Sequence, residues 1–159
     1  MAIILGFDPG VADTGFGIIN DENGKLVCLE YGSIKTAAQL PLPERLVIIY
    51  SAVQELLKKY SPALISIEQL FFSKNVKTAM AVGQARGVVL LACEQSGVPI
   101  MEFTPNQVKQ AVSSYGGANK EQVQRMVQML LRLEEIPKPD DAADALAIAI
   151  CGSGNCKFI

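Results

Sequence analysis

Residues 2–10 read Ala2-Ile3-Ile4-Leu5-Gly6-Phe7-Asp8-Pro9-Gly10, an apolar run that stops at an aspartate and a Pro-Gly turn signal. A short continuous apolar run closed by such a turn is the pattern of a buried strand. Ala2 to Phe7 therefore predicts a strand with Asp8 at its end. Ala63 to Ile67 repeats the pattern and delivers Glu68 in the same way. A carboxylate at the end of an apolar strand is costly to desolvate and needs water or a positive partner.

Outward from these two strands, Thr14 to Ile19 and Lys25 to Ile34 flank the polar, glycine-ended cluster Asn20 to Gly24, a hairpin signal. Pro43 to Tyr60 carries Leu46, Ile49, Val53, Leu56 and Leu57 at helical spacing, with Pro43 near its start and Ser61-Pro62 beyond its end. Val76 to Glu94 is apolar nearly all round, with small residues interspersed, so that helix is either central to the core or partly turned toward another subunit. Val98 to Phe103 predicts a further strand, followed by helices over Asn106–Ser113, Lys120–Leu133 and from near Asp140 to Ile150. Three strands, helix, strand, helix, strand and then helices imply an α/β fold, a mixed sheet with helices on its faces. Acids at strand ends then lie along the carboxyl edge of the sheet, where ligand sites in such folds occur.

A chain of 159 residues, half of them apolar, suits one compact domain. We expect a catalytic domain over residues 1–151 and a short tail over 152–159. No uninterrupted apolar run reaches the length of a membrane span and no basic leader precedes the first strand, so a soluble, cytoplasmic protein is expected. Cys28, Cys93, Cys151 and Cys156 lack zinc-site spacing and fit reduced, structural thiols. The chain has no histidine, which excludes histidine-based triads, histidine-ligated zinc and imidazole acid–base catalysis. Formal net charge is −2. From Leu70 to Arg132, however, Lys74, Lys77, Arg86, Lys109, Lys120, Arg125 and Arg132 face only Glu94, Glu102 and Glu121. That stretch is locally basic and able to contact phosphates.

Asp141 and Asp144 are three residues apart at the start of the last helix, on one face. Aspartates there commonly cap the helix, and Asp140 or Asp141 can do so. Asp144 is harder to dismiss, because it interrupts an alanine-rich, buried face. Asp8, Glu68, Asp141 and Asp144 together, without histidine or cysteine partners, match hard-cation chemistry with Mg²⁺ or Mn²⁺. Two such ions can activate water on one side of a phosphodiester and stabilise the leaving oxygen on the other. Their charge would also turn the formal balance from −2 to +2.

The segments Gly6-Phe7-Asp8-Pro9-Gly10, Ile67-Glu68-Gln69, Gly83-Gln84-Ala85-Arg86-Gly87 and Asp141-Ala142-Ala143-Asp144-Ala145-Leu146-Ala147 resemble, in order and separation, the RuvC family of Holliday junction resolvases. The resemblance implies an RNase H-like fold with a mixed five-stranded sheet and a homodimer. It also implies Mg²⁺-dependent symmetric nicking of four-way DNA junctions in recombination and repair, with two ions per subunit and Mn²⁺ as substitute. It places the four metal-binding acids on Asp8, Glu68, Asp141 and Asp144, and assisting lysines on Lys109 and Lys120. Phe71 matches an aromatic that stacks on unpaired bases, and Lys74, Lys77 and Arg86 are candidate DNA contacts. A branch-migration motor is the implied partner by analogy. The short stretch Gly152–Ile159 departs from the pattern by lacking a basic tail.

Two other functions fit part of the sequence. Gly6 to Gly10 followed by Thr14-Gly15 also resembles the first phosphate loop of actin-like ATPases and sugar kinases, but those need two lobes and this chain has room for one. A non-catalytic junction-binding module would retain the basic residues and lose the acids, whereas all four acids are present.

Overall fold

A computed structural model describes residues 1–69 and 75–155. Its elements are β1 (Ala2–Asp8), β2 (Asp13–Glu22), β3 (Lys25–Lys35), α1 (Leu42–Tyr60), β4 (Leu64–Glu68), α2 (Val76–Gln95), β5 (Ile100–Phe103), α3 (Pro105–Ser113), α4 (Lys120–Leu131) and α5 (Asp140–Ser153). The strands form one sheet in the order β3-β2-β1-β4-β5. The β3-β2-β1 half is antiparallel, and β1, β4 and β5 are parallel. The mixed five-stranded sheet flanked by helices is the expected architecture.

Alternation along the strands divides the core in two. Ile4, Ile19, Leu64 and Phe103 pack with α3, α4 and α5 on one face. Leu5, Phe7, Ile18, Ile65 and Ile67 pack with α1 and α2 on the other. The same period of two carries Asp8, in step with Ile4, and Glu68, in step with Leu64, toward the α5 face. Helix α5 lies almost in contact with the sheet: a Cβ on Gly6 would stand 2.2 Å from the carbonyl oxygen of Ala145. Alanines line α5 because larger side chains would lift it from the strands, and the helix is buried from Ala145 to Ser153.

Several boundaries differ from the sequence reading. The hairpin turn shrinks to Asn23-Gly24, both at positive φ (57° and 91°), so β2 and β3 extend into the polar cluster. An Asn-Gly pair suits the twist of a two-residue hairpin loop, and Asp21 Oδ1 accepts from the Gly24 amide at 2.6 Å. Helix α5 does not stop at Ile150, and the expected tail start at Gly152 falls inside it. Gly152 lets the last turn settle on β4, since a Cβ there would lie 2.0 Å from Ser66 Oγ. No side chain caps α5: Pro139 occupies the N-cap and neither Asp140 nor Asp141 bonds to the helix amides.

Helix α2 buries only Ala85, Val89, Ala92 and Cys93, while Val76, Met80 and Leu91 are exposed. By length and composition it is apolar enough to cross a membrane, although no uninterrupted apolar run marks it in the sequence. It carries Lys77, Arg86 and Glu94 along its length. It is therefore not a central core helix, and its outer face is exposed. Cys28, Cys93 and Cys151 are free thiols, held in the protonated form by burial.

Candidate metal centre

The site is assembled from two neighbouring strand ends and one helix. Strands β1 and β4 run parallel with Phe7 opposite Ile67, so Asp8 and Glu68 leave the sheet side by side. Glu68 is anchored through its main chain, for it pairs with Phe103 on β5. The next amide, of Gln69, donates to the Phe103 carbonyl at 2.7 Å. Helix α5 then brings Asp141 and Asp144 down onto Asp8. Carboxylate oxygens of Asp8, Asp141 and Asp144 all lie within 4.8 Å of one another. Glu68 stands beside this trio.

Crowding of like charge in a half-dry place decides the protonation state. Burial, then the charges of Asp144, Asp141 and Glu68, then a hydrogen bond with Asp141 push the Asp8 carboxyl up to about 8. Asp141 is raised by burial and by Asp13, against the bond it accepts from Asp8 and the charge of Lys120. Glu68 is raised by burial and Asp144, with Lys109 opposing. Asp144 is raised by burial, with Lys120 opposing and Asp141 and Asp140 adding to it. At neutral pH and without a cation, a carboxyl raised this far favours its protonated form. All the donors are oxygens, and oxygens around an octahedral ion stand about 3–4 Å apart for metal–oxygen distances near 2.1 Å. The donor set therefore fits a hard divalent ion.

Two depressions meet at Glu68. One, of about 310 Å³, is lined by Glu68, Asp144, Lys109, Asn119 and Lys120. The other, of about 240 Å³, is lined by Asp8, Glu68, Gln69 and Arg86. Lys109 comes from α3 and Lys120 from the first position of α4, whose starts are fixed by capping boxes at Thr104/Gln107 and Asn119/Gln122. Lys120 Nζ lies 3.6 Å from Asp144 Oδ2 and 3.2 Å from Asp140 Oδ2. A larger hollow of about 550 Å³, between Leu26, Gln110 and Cys151, lies at the other end of α5 and has no acid among the described residues that line it.

The structure thus brings together Asp8, Glu68, Asp141, Asp144, Lys109 and Lys120. It gives Arg86 a different setting from that of a free surface cation: its guanidinium pairs with Glu102 at 2.6 Å and its Nε donates to the Glu68 carbonyl at 3.4 Å. Lys77 is exposed on the first turn of α2. Phe71 and Lys74 lie outside the described residues. The sequence reading missed Asp140 as a partner of Lys120 and missed Gly15, whose place opposite Asp8 in the β1–β2 register sets it against α5. The only linear signal for Gly15 is its spacing from Gly17 on one face of β2.

The profile of the family "Crossover junction endodeoxyribonuclease RuvC" matches residues 4–152. The chain belongs to the RuvC family. The family's protein from Brevibacillus brevis is 59% identical over 156 residues, 98% of this chain and 94% of that relative. The solved structure described as T. thermophilus RuvC in complex with Holliday junction substrate is 36% identical. It superposes with a TM-score of 0.93 over 99% of this chain and 96% of that one. The yeast mitochondrial Holliday junction resolvase Ydc2 is 15% identical, with a TM-score of 0.68 over 97% of this chain and 81% of its own. At that identity it shows a shared fold, the RNase H-like fold of the RuvC family.

Proposed function

We propose that this RuvC-family chain resolves four-way DNA junctions by metal-dependent, symmetric nicking in recombination and repair. The observation that carries the reading is the trio Asp8, Asp141 and Asp144, with oxygens within 4.8 Å of one another and two lysines on the adjoining wall. Asp8, Glu68, Asp141 and Asp144 hold two Mg²⁺ ions, for which Mn²⁺ substitutes. Once bound, such ions supply an activated water and offset charge on the leaving oxygen.

The chain's own residues do the rest. Lys109 and Lys120 place positive charge beside the phosphate from the α3 and α4 side, where charge develops as the phosphodiester opens. Glu68, rooted in the sheet, divides the two depressions and fixes the acids relative to the strand being cut. Phe71 stacks on unpaired bases near the crossover, and Lys74 and Lys77 hold the phosphate backbone. Arg86 contributes to the DNA-facing wall from within its pair with Glu102. The catalytic domain runs past the expected boundary at residue 151 to the end of α5 at Ser153, with the chain beyond it as a tail.

Symmetric cutting needs two sites, and a homodimer supplies them. The outer face of α2 supports that assembly: Val76, Met80 and Leu91 are exposed, and among the described residues nothing lies within 4 Å of where a Cβ on Gly87 would stand, so a second helix can approach closely. A branch-migration motor as partner, and a cytoplasmic location beside the DNA, follow the family alone.

Cleavage of a labelled mobile four-way junction against linear duplex of matching sequence, with Mg²⁺ or chelator, tests the reading in wild type and Asp8→Asn. Paired nicks on the junction only, with metal only and in wild type only are expected. Junction binding without cutting by the wild type would replace the nuclease with a binding module.

A further inference from the structure

We propose that Asp140 is a positioning residue that holds the Lys120 ammonium at the edge of the acidic cluster, a role that rests on the reading of Lys120 given above. Lys120 and Asp140 are the first residues of α4 and α5. A helix start carries partial positive charge, which disfavours a lysine there and favours an aspartate. Asp140 nevertheless makes no cap bond to α5. Both its oxygens go to α4 instead: Oδ2 lies 3.2 Å from Lys120 Nζ, and Oδ1 accepts from Gln124 Nε2 at 3.1 Å. Lys120 and Gln124 are four residues apart and share one face of α4, so the carboxylate grips that face at two points a turn apart.

The ammonium is thereby suspended between one acid inside the cluster, Asp144 at 3.6 Å, and one outside it. A divalent ion on Asp144 repels the ammonium from that side. Lys120 is more than half exposed, at 56%, and without a second anchor it would be free to swing into solvent. Asp140 supplies that anchor and keeps the positive charge within reach of a phosphate in the adjoining depression. Because the pair is exposed on both sides, it contributes little to folding, so its effect falls on catalysis.

The test compares Asp140→Asn, Asp140→Glu, Lys120→Met and the Asp140→Asn/Lys120→Met pair. It reads kcat on a four-way junction, junction affinity in chelator, melting temperature and the Lys120 ammonium resonance in ¹⁵N spectra of the metal-free protein. Asp140→Asn should lower kcat about tenfold, less than the roughly 10²-fold that a full 1 Å misplacement of a reacting group can cost, because Asp144 still holds the ammonium from one side. Junction affinity and melting temperature should stay put while the resonance, assigned by its loss in Lys120→Met, shifts or broadens. Asp140→Glu should recover most of the rate. In the Lys120→Met background, Asp140→Asn should cost nothing further. Full kcat with an unmoved resonance in Asp140→Asn would overturn the proposal, as would an undiminished loss in the double variant. Wild-type rate in Lys120→Met alone would instead sink the functional reading of Lys120, and the role of Asp140 with it.

Discussion

Gly15 on β2 lies directly beneath the main chain of Asp141 on α5: a Cβ at residue 15 would stand 2.0 Å from the Asp141 carbonyl oxygen and 3.0 Å from its Cβ. Backbone cannot yield as a flexible side chain can. Gly15→Ala should therefore push the start of α5 off the sheet and pull Asp141 from Asp8. Overpacking of this kind costs about 1–3 kcal/mol. The expected result is a lower melting temperature together with weaker Mg²⁺ binding by calorimetry; unchanged metal affinity would mean that α5 does not depend on this contact.

Asp8 makes the stability of the metal-free protein depend on pH. Its folded pKa, about 8, lies above the usual 3.8, so between those values the native state holds a proton that the unfolded state has released. Stability then falls as pH rises through that window, by up to about 1.4 kcal/mol per pH unit for one proton. Melting in chelator from pH 5 to pH 8 should show the decline, and Asp8→Asn should flatten it. A wild-type curve as flat as that of the variant would show that Asp8 does not hold the proton.

Metal binding should displace that proton. Mg²⁺ titrations at pH 7 in buffers of different ionisation heat are expected to report proton release, with affinity rising toward pH 8. Absence of release would place the ion away from Asp8. Asp8→Asn should abolish cutting and leave junction affinity largely intact, since the basic wall remains.

Lys109 enters the site from α3 and opposes the rise of the Glu68 pKa. Lys109→Ala should lower kcat by roughly 10²-fold, the usual cost of losing one preorganised positive or donor group. Full-rate cleavage by the variant would reduce this lysine to a surface charge.

The outer face of α2 predicts an assembly test. Leu91→Asp, at a residue 54% exposed in the monomer, should leave the fold intact and shift sedimentation from dimer to monomer, because it puts a charge into an apolar contact. Identical sedimentation of variant and wild type would move the dimer interface elsewhere.

The legible part of this molecule is the part written locally. Apolar runs located β1 and β4, and with them Asp8 and Glu68; a three-residue spacing placed Asp141 and Asp144 on one helix face. What escaped depends on which elements meet. Asp140 reads as a cap in the linear sequence because its capture by Lys120 and Gln124 requires α4 alongside. The apolar composition of α2 left core and interface undecided until its neighbours showed that only four of its residues are buried. Gly15 looked like part of a phosphate-loop motif, and only the descent of α5 onto β2 reveals its steric role.

The acids of the cluster come from the first strand and the last helix, with Asp8 and Asp144 separated by most of the chain. A polypeptide still emerging from the ribosome has Asp8 long before it has Asp141 and Asp144. It cannot gather three carboxylates until α5 has been synthesised and laid on the sheet. A nuclease that relied on this cluster would be silent as a fragment: early translation arrest or loss of the final helix yields a chain in which the three carboxylates never meet.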